Sequence, residues 1–87
     1  MKINELITLA KNLVIKYNEK NKIFDVDQNC FRYLNLTQEK IRIEKTIENS
    51  DGSMEVHLLV PEDPWWLYKI SYNPQDERKI ITSIEMR

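Results

Sequence analysis

The chain has 87 residues, of which 41% are hydrophobic and 31% are charged, and its formal net charge at pH 7 is −1. This length predicts one small domain with a single core over residues 1–87, and the near-neutral charge excludes the bulk attraction used in non-specific binding to nucleic acids or anionic membranes. The only glycine is Gly52, which excludes glycine-rich phosphate-binding loops. We therefore expect neither nucleic acid nor membrane as a partner.

The first predicted element is an amphipathic helix between Ile3 and Tyr17. Its apolar residues recur at steps of three and four and share one stripe: Ile3, Leu6, Ile7, Ala10, Leu13, Val14 and Tyr17. Polar residues interrupt this stretch too often for a signal-peptide core or a transmembrane span, so we expect a cytoplasmic protein. The following segment, residues 23–36, fits either a short helix or a short strand, and we favour an irregular or short helical segment that covers part of the core.

Residues 41–48 and 54–60 predict the first two strands. Isoleucines alternate with charged residues over 41–48, which favours a strand, although Glu39 and Lys40 are good helix formers and leave a helix over 37–48 as a competitor. The Asp51-Gly52 pair is typical of a tight hairpin and supports the strand. A two-residue turn there would place the odd-numbered isoleucines on the same face as the apolar residues of the second strand: Met54, Val56, Leu58 and Val60.

Two further strands complete the predicted sheet. Pro61 and Pro64 end the second strand, because each lacks the N–H that strand pairing needs, and Glu62 and Asp63 between them predict a solvated corner. Residues 66–72 and 79–86 then form the third and fourth strands, with a turn at 73–76. The predicted fold is α+β, with an N-terminal amphipathic helix packed on one face of a three- to four-stranded antiparallel β-meander.

Alternation along the third strand divides its aromatic residues between two faces. One set should face the helix together with Ile80, Ile84 and Met86: Trp66, Tyr68, Ile70 and Tyr72. The opposite face would carry an apolar cluster: Leu59, Trp65, Leu67 and Ile81. Either this cluster is exposed or residues 23–36 cover it, and the sequence leaves both interpretations open.

Residues that could carry catalysis or bind a metal are sparse. Cys30 and His57 are the only residues of their types, and no nucleophile turn surrounds Cys30. A zinc site needs three or four clustered ligands, which this chain does not offer. Asp25–Asn29 has the oxygen-rich start of a calcium loop without its glycine and final glutamate, so a turn is the simpler interpretation. We predict no enzymatic activity, no metal site and no cofactor.

A cluster centred on tryptophan and rimmed by charges is typical of protein-binding faces. We therefore predict a non-enzymatic protein-binding module, an inhibitor, immunity-type protein or adaptor that acts by occlusion. Its predicted contact residues are an anchor, an apolar surround and an acidic rim: Trp65; Leu67, Leu59 and Ile81; Glu62 and Asp63. The alternative is a homodimer with a small-molecule pocket between helix and sheet, where tyrosines and His57 supply polar contacts.

Overall fold

The computed structural model of the protein describes residues 1–21, 36–61 and 65–87. The elements are one helix, one 3₁₀ turn and four strands: α1 (Ile3–Asn21), the turn Gln38–Lys40, β1 (Arg42–Glu48), β2 (Met54–Val60), β3 (Trp66–Asn73) and β4 (Arg78–Met86). All neighbouring strands pair antiparallel in the order β1-β2-β3-β4, and α1 contacts β2 and β3. The predicted α+β fold is confirmed, and residues 42–48 form a strand rather than a helix.

Several sequence predictions fall outside the described residues. They concern Cys30, the stretch Asp25–Asn29, the conformation of 23–35, and the corner of Glu62, Asp63 and Pro64. Within the described ranges, no helix combines the length and the apolar content needed to cross a membrane.

The predicted stripe of α1 forms the helical side of the core. Leu6, Ala10 and Val14 have no exposed surface, because a spacing of four residues returns to the same side of a helix. At the C-terminal end of the stripe, the Tyr17 ring meets the Tyr68 ring edge to face, with centroids 5.8 Å apart. The helix therefore packs against the two central strands.

We call the sheet face that contacts α1 the inner face and the opposite one the outer face. The buried inner-face residues of β2 and β3 alternate as predicted: Met54, Val56, Leu58 and Val60; Tyr68, Ile70 and Tyr72. Leu36 and Ile41 close the core beside them. Both central strands are regular, which is why period-two alternation predicts their faces correctly.

A β-bulge at Glu44 places Ile43 and Ile47 on opposite faces of the sheet. Ile43 pairs with Leu58, but the register shifts so that Lys45 pairs with His57 and Ile47 with Glu55. Glu44 is the extra residue in β1. Odd-numbered residues before it therefore lie on the inner face, and odd-numbered residues after it lie on the outer face. Ile43 therefore lies on the inner face, as predicted, while Ile47 lies on the outer face, contrary to the prediction.

The β1–β2 connection is a three-residue loop, so the predicted two-residue Asp51-Gly52 turn is wrong. The Asn49 N–H donates to the Ser53 carbonyl at 2.9 Å, and the Gly52 N–H donates to the Asn49 carbonyl at 3.1 Å. Asp51 fixes the loop by accepting hydrogen bonds from the Ser53 hydroxyl at 2.6 Å and from the Ser53 N–H at 2.9 Å. These bonds, the hydroxyl's first, lower the pKa of Asp51.

Gly52 adopts a φ of 88°, the left-handed conformation that ends such three-residue loops. We expect Gly52→Ala to destabilise the protein by about 1 kcal/mol, because a Cβ disfavours this conformation. Gly52→Asn should cost less, since asparagine tolerates positive φ. Urea unfolding followed by circular dichroism measures both, and equal stability of wild type and Gly52→Ala would contradict the assignment.

A second bulge, in β4, corrects the predicted faces of Ile80 and Ile81. Ser83 pairs with Lys69 and Ile81 with Ile70, which leaves Thr82 as the extra residue. The Thr82 hydroxyl donates to the Lys69 carbonyl at 3.1 Å and holds the bulge in place. Ile81 therefore packs against the core, and Ile80 lies exposed on the outer face. Strict alternation predicted the reverse, because it takes no account of an inserted residue.

Candidate functional site

The strand register builds a row of outer-face residues across all four strands, near the end of the sheet opposite the two hairpin turns. Arg42 pairs with Leu59, Leu59 with Leu67, and Leu67 with Glu85. Trp65 precedes Leu67 by two residues and so projects from the same face. Two of the predicted apolar contact residues, Leu59 and Leu67, are therefore neighbours, with Trp65 beside them.

Trp65 is held by contacts from both edges of the sheet. The guanidinium carbon of Arg42 lies 5.4 Å from the centroid of the Trp65 ring, in a cation–π arrangement. Because Arg42 belongs to β1 and Trp65 precedes β3, the contact crosses β2 beside Leu59. On the other side, the Arg87 N–H donates to the Trp65 carbonyl at 2.8 Å. Both the backbone and the ring of Trp65 are thereby fixed.

Exposure differs sharply within this group. Trp65 retains 39% of its surface, whereas Leu67 retains 1%. Leu67 is buried although it lies on the outer face and does not belong to the cluster packed under α1. It therefore cannot touch a partner, which corrects its predicted role as a contact residue.

Two ion pairs lie at this row of outer-face residues. Arg87 Nη2 lies 2.9 Å from Glu44 Oε2, and Lys69 Nζ lies 3.2 Å from Glu85 Oε1. The hydrogen bond from Lys69, followed by the charge of its ammonium group, lowers the pKa of Glu85. All four side chains are partly exposed, so each pair adds little stability.

The structure brings together part of the predicted site. Trp65, Leu59 and Leu67 lie together, Ile81 lies on the inner face instead, and Glu62 and Asp63 are outside the described residues. Arg42, Glu44 and Arg87 were missed. Arg42 and Glu44 were within reach of sequence reasoning as outer-face residues, because alternation places both on the face opposite to the inner isoleucines. Their contacts with Trp65 and Arg87 were not, because these contacts join different strands.

His57 lies on the outer face, where its Nε2 is 3.0 Å from Glu55 Oε1 and its side chain is mostly buried. It pairs across the sheet with Lys45 and Lys69. The prediction that His57 contributes to a pocket between helix and sheet is therefore wrong. A groove of about 220 Å³ beside α1 has a different lining: Leu9, Asn12, Leu13, Lys16 and Lys79.

At the turn end of the sheet, a more polar groove of about 440 Å³ opens between the two hairpin turns. Asp51, Glu55 and Asp76 line it together with Arg78. Arg78 lies 2.9 Å from Asp76, and its backbone N–H and side chain lower the pKa of that carboxyl. In the ranges that the structure describes, no three or more His, Cys, Asp or Glu side chains are grouped to hold a metal ion.

The most distinctive surface is thus the end of the outer face that holds Trp65. We call Trp65, Arg42, Leu59 and Arg87 the Trp65 corner. It combines an exposed indole and a guanidinium stacked on its ring with the partly exposed Leu59. Comparison of the chain with protein-family models, with curated proteins and with solved structures gives no match.

Proposed function

We propose that the protein is a non-enzymatic protein-binding module that docks through the Trp65 corner. The observation that carries the proposal is the exposed Trp65 side chain, which is stacked by Arg42 and tied through its carbonyl to Arg87. Tryptophan and arginine are the residue types most enriched at the energetic centres of protein interfaces. Binding at this end of the sheet would act by occlusion of the partner, as expected of an inhibitor, immunity-type protein or adaptor.

The contacts that fix Trp65 favour binding, because they reduce the side-chain entropy that is lost when a partner binds. An indole already fixed by a cation–π contact loses little rotamer freedom when a partner covers it. Leu67 is already buried, so the partner would contact Trp65 and the partly exposed Leu59. Within the proposal, Glu62 and Asp63 keep their role as an acidic rim that selects a basic patch on the partner.

Affinity capture from the native host, followed by titration of the purified partner, tests this function. We expect Trp65→Ala to weaken binding by about tenfold or more, as truncation of a central interface tryptophan does. Arg42→Ala should weaken it less, because it removes the side chain that orients the ring but leaves the anchor in place.

The matched control is Ile43→Ala, which removes another exposed apolar side chain on the inner face of β1, where 47% of Ile43 is exposed. It should bind as wild type does. All variants need unchanged circular dichroism spectra. Equal affinity of folded Trp65→Ala and wild type would refute docking through the Trp65 corner.

A further inference from the structure

The fourth strand presents an open edge of unusual composition. In the described ranges β4 is the last strand of the sheet, with β3 as its neighbour on one side. Its central residues 80–84 contain no charge, no proline and no glycine. By contrast, β1 at the other edge carries four charged residues among its seven. Such charges usually protect the edge strands of native proteins from pairing with another chain.

Apolar surface accompanies this edge on the inner face. Ile81 and Ile84 are only partly buried, and Met86 retains 66% of its surface. The groove beside α1, with Leu9 and Leu13 on one wall and Lys79 on the other, runs along the same side. The helix covers the central strands and leaves the inner face of β4 partly open.

The bulge at Thr82 makes the order of inner-face and outer-face residues along β4 symmetrical about the centre of the strand. Pairing with β3 and the groove at the turn end place the side chains of 78, 80, 82, 83, 85 and 87 on the outer face and those of 79, 81, 84 and 86 on the inner face. The order of faces is the same from residue 78 to residue 87 as from residue 87 to residue 78. A second, antiparallel copy of the strand therefore matches it face for face when Thr82 lies opposite Ser83 of the second copy.

We propose that β4 is a dimerisation edge, at which two copies of the chain pair antiparallel about a two-fold axis between Thr82 and Ser83. In this register Ile81 lies opposite Ile84 of the second copy, and the sheet extends from four strands to eight. The four isoleucines form one apolar strip between the two helices, and Ile80 lies opposite Glu85 of the second copy. Such an isologous contact closes on itself and forms no fibre.

The backbone supplies the hydrogen bonds. Because the Arg87 N–H donates to the Trp65 carbonyl, Arg87 and Trp65 form a hydrogen-bonded pair. The next pairs along β4 alternate, so the N–H groups of Met86 and Ile84 point away from β3 toward the open edge. These two amides identify the proposed contact.

Sedimentation equilibrium and NMR hydrogen exchange on the full chain test the proposal. We expect a species of twice the 10.5 kDa chain mass in a concentration series, with slow exchange at Ile84 and Met86 that becomes fast on dilution. A monomer at every concentration would overturn the proposal. So would a dimer in which these amides exchange freely, or open assemblies that grow without limit, since those indicate β1–β4 pairing.

Met86→Lys provides the matched variant. It changes an exposed side chain and places an ammonium opposite Lys79 of the second copy, twice in each dimer, so the dimer dissociation constant should rise about tenfold or more. Ile43→Lys, at an exposed position on the other edge strand, should leave it unchanged. Equal dimerisation of the two variants would overturn the β4 interface. Neither variant alters Trp65, so this outcome is independent of the proposed function.

Discussion

Leu67→Ala is expected to destabilise the protein by about 2–5 kcal/mol, the range found for fully buried leucines. Leu67 faces away from α1, so a sheet with only one buried face would tolerate the change. The structure shows 1% exposure at this residue, with Leu59, Trp65 and Lys69 as its same-face neighbours. A chain of this length has a total stability of roughly 4–13 kcal/mol, so this single truncation removes a large share of it.

Urea unfolding followed by circular dichroism compares Leu67→Ala with two reference variants. Leu58→Ala, fully buried on the inner face, should cost about as much. Leu9→Ala removes the same atoms from a leucine that is 39% exposed and should cost about 1 kcal/mol or less. A loss at Leu67 no larger than that at Leu9 would show that the outer face contributes no packed core.

Ala10→Glu is expected to cost about 4 kcal/mol or more and to leave the protein largely unfolded at neutral pH. Ala10 has no exposed surface at the contact between α1 and the sheet. A glutamate there must either bury a charge or push the helix off the sheet, and both are among the most destabilising changes known. Glutamate is itself a good helix former, so the loss reports packing rather than helix propensity.

Thr8→Glu is the matched control, because Thr8 is exposed on the same helix, two residues away. It should change stability by no more than about 0.5 kcal/mol. A carboxyl buried at position 10 would have its pKa raised in the folded state, so the penalty should shrink as pH falls from 7 toward about 4.3, the usual glutamate value, and stay constant below it. A folded Ala10→Glu variant with wild-type stability at pH 7 would contradict the observed docking of α1.

The accuracy of the sequence predictions depended on whether a strand is regular. In β2 and β3 every inner-face residue follows period-two alternation, so their faces could be predicted. In β1 and β4 one extra residue, Glu44 or Thr82, reverses the parity partway along the strand. The local sequence does not indicate where a bulge lies, because a bulge arises from the fit between neighbouring strands. Ile80 and Ile81 were misplaced for this reason, and Ile47 was misplaced because the β1–β2 loop has three residues and not the predicted two.

In the candidate site, too, the positions that follow from a regular strand could be predicted, and those that depend on other strands could not. Trp65 and Leu67 were placed on the outer face because they adjoin or belong to a regular strand. Alternation left open whether Leu67 is exposed or covered, because it assigns a side chain to a face and does not say what lies over that face. The Arg87–Glu44 pair joins residues 43 positions apart at opposite edges, and local patterns contain no information about such a contact.

The meander topology gives the Trp65 corner a particular place in folding. Every strand pairs with its neighbour in sequence, so each hairpin can form from local contacts with a small loss of chain entropy. The contact of Arg42 with Trp65 instead requires the first three strands, and that of Glu44 with Arg87 spans all four. The corner, which includes Arg87, is therefore completed only after all four strands are in register. An incompletely folded chain, whatever its content of secondary structure, therefore lacks this surface.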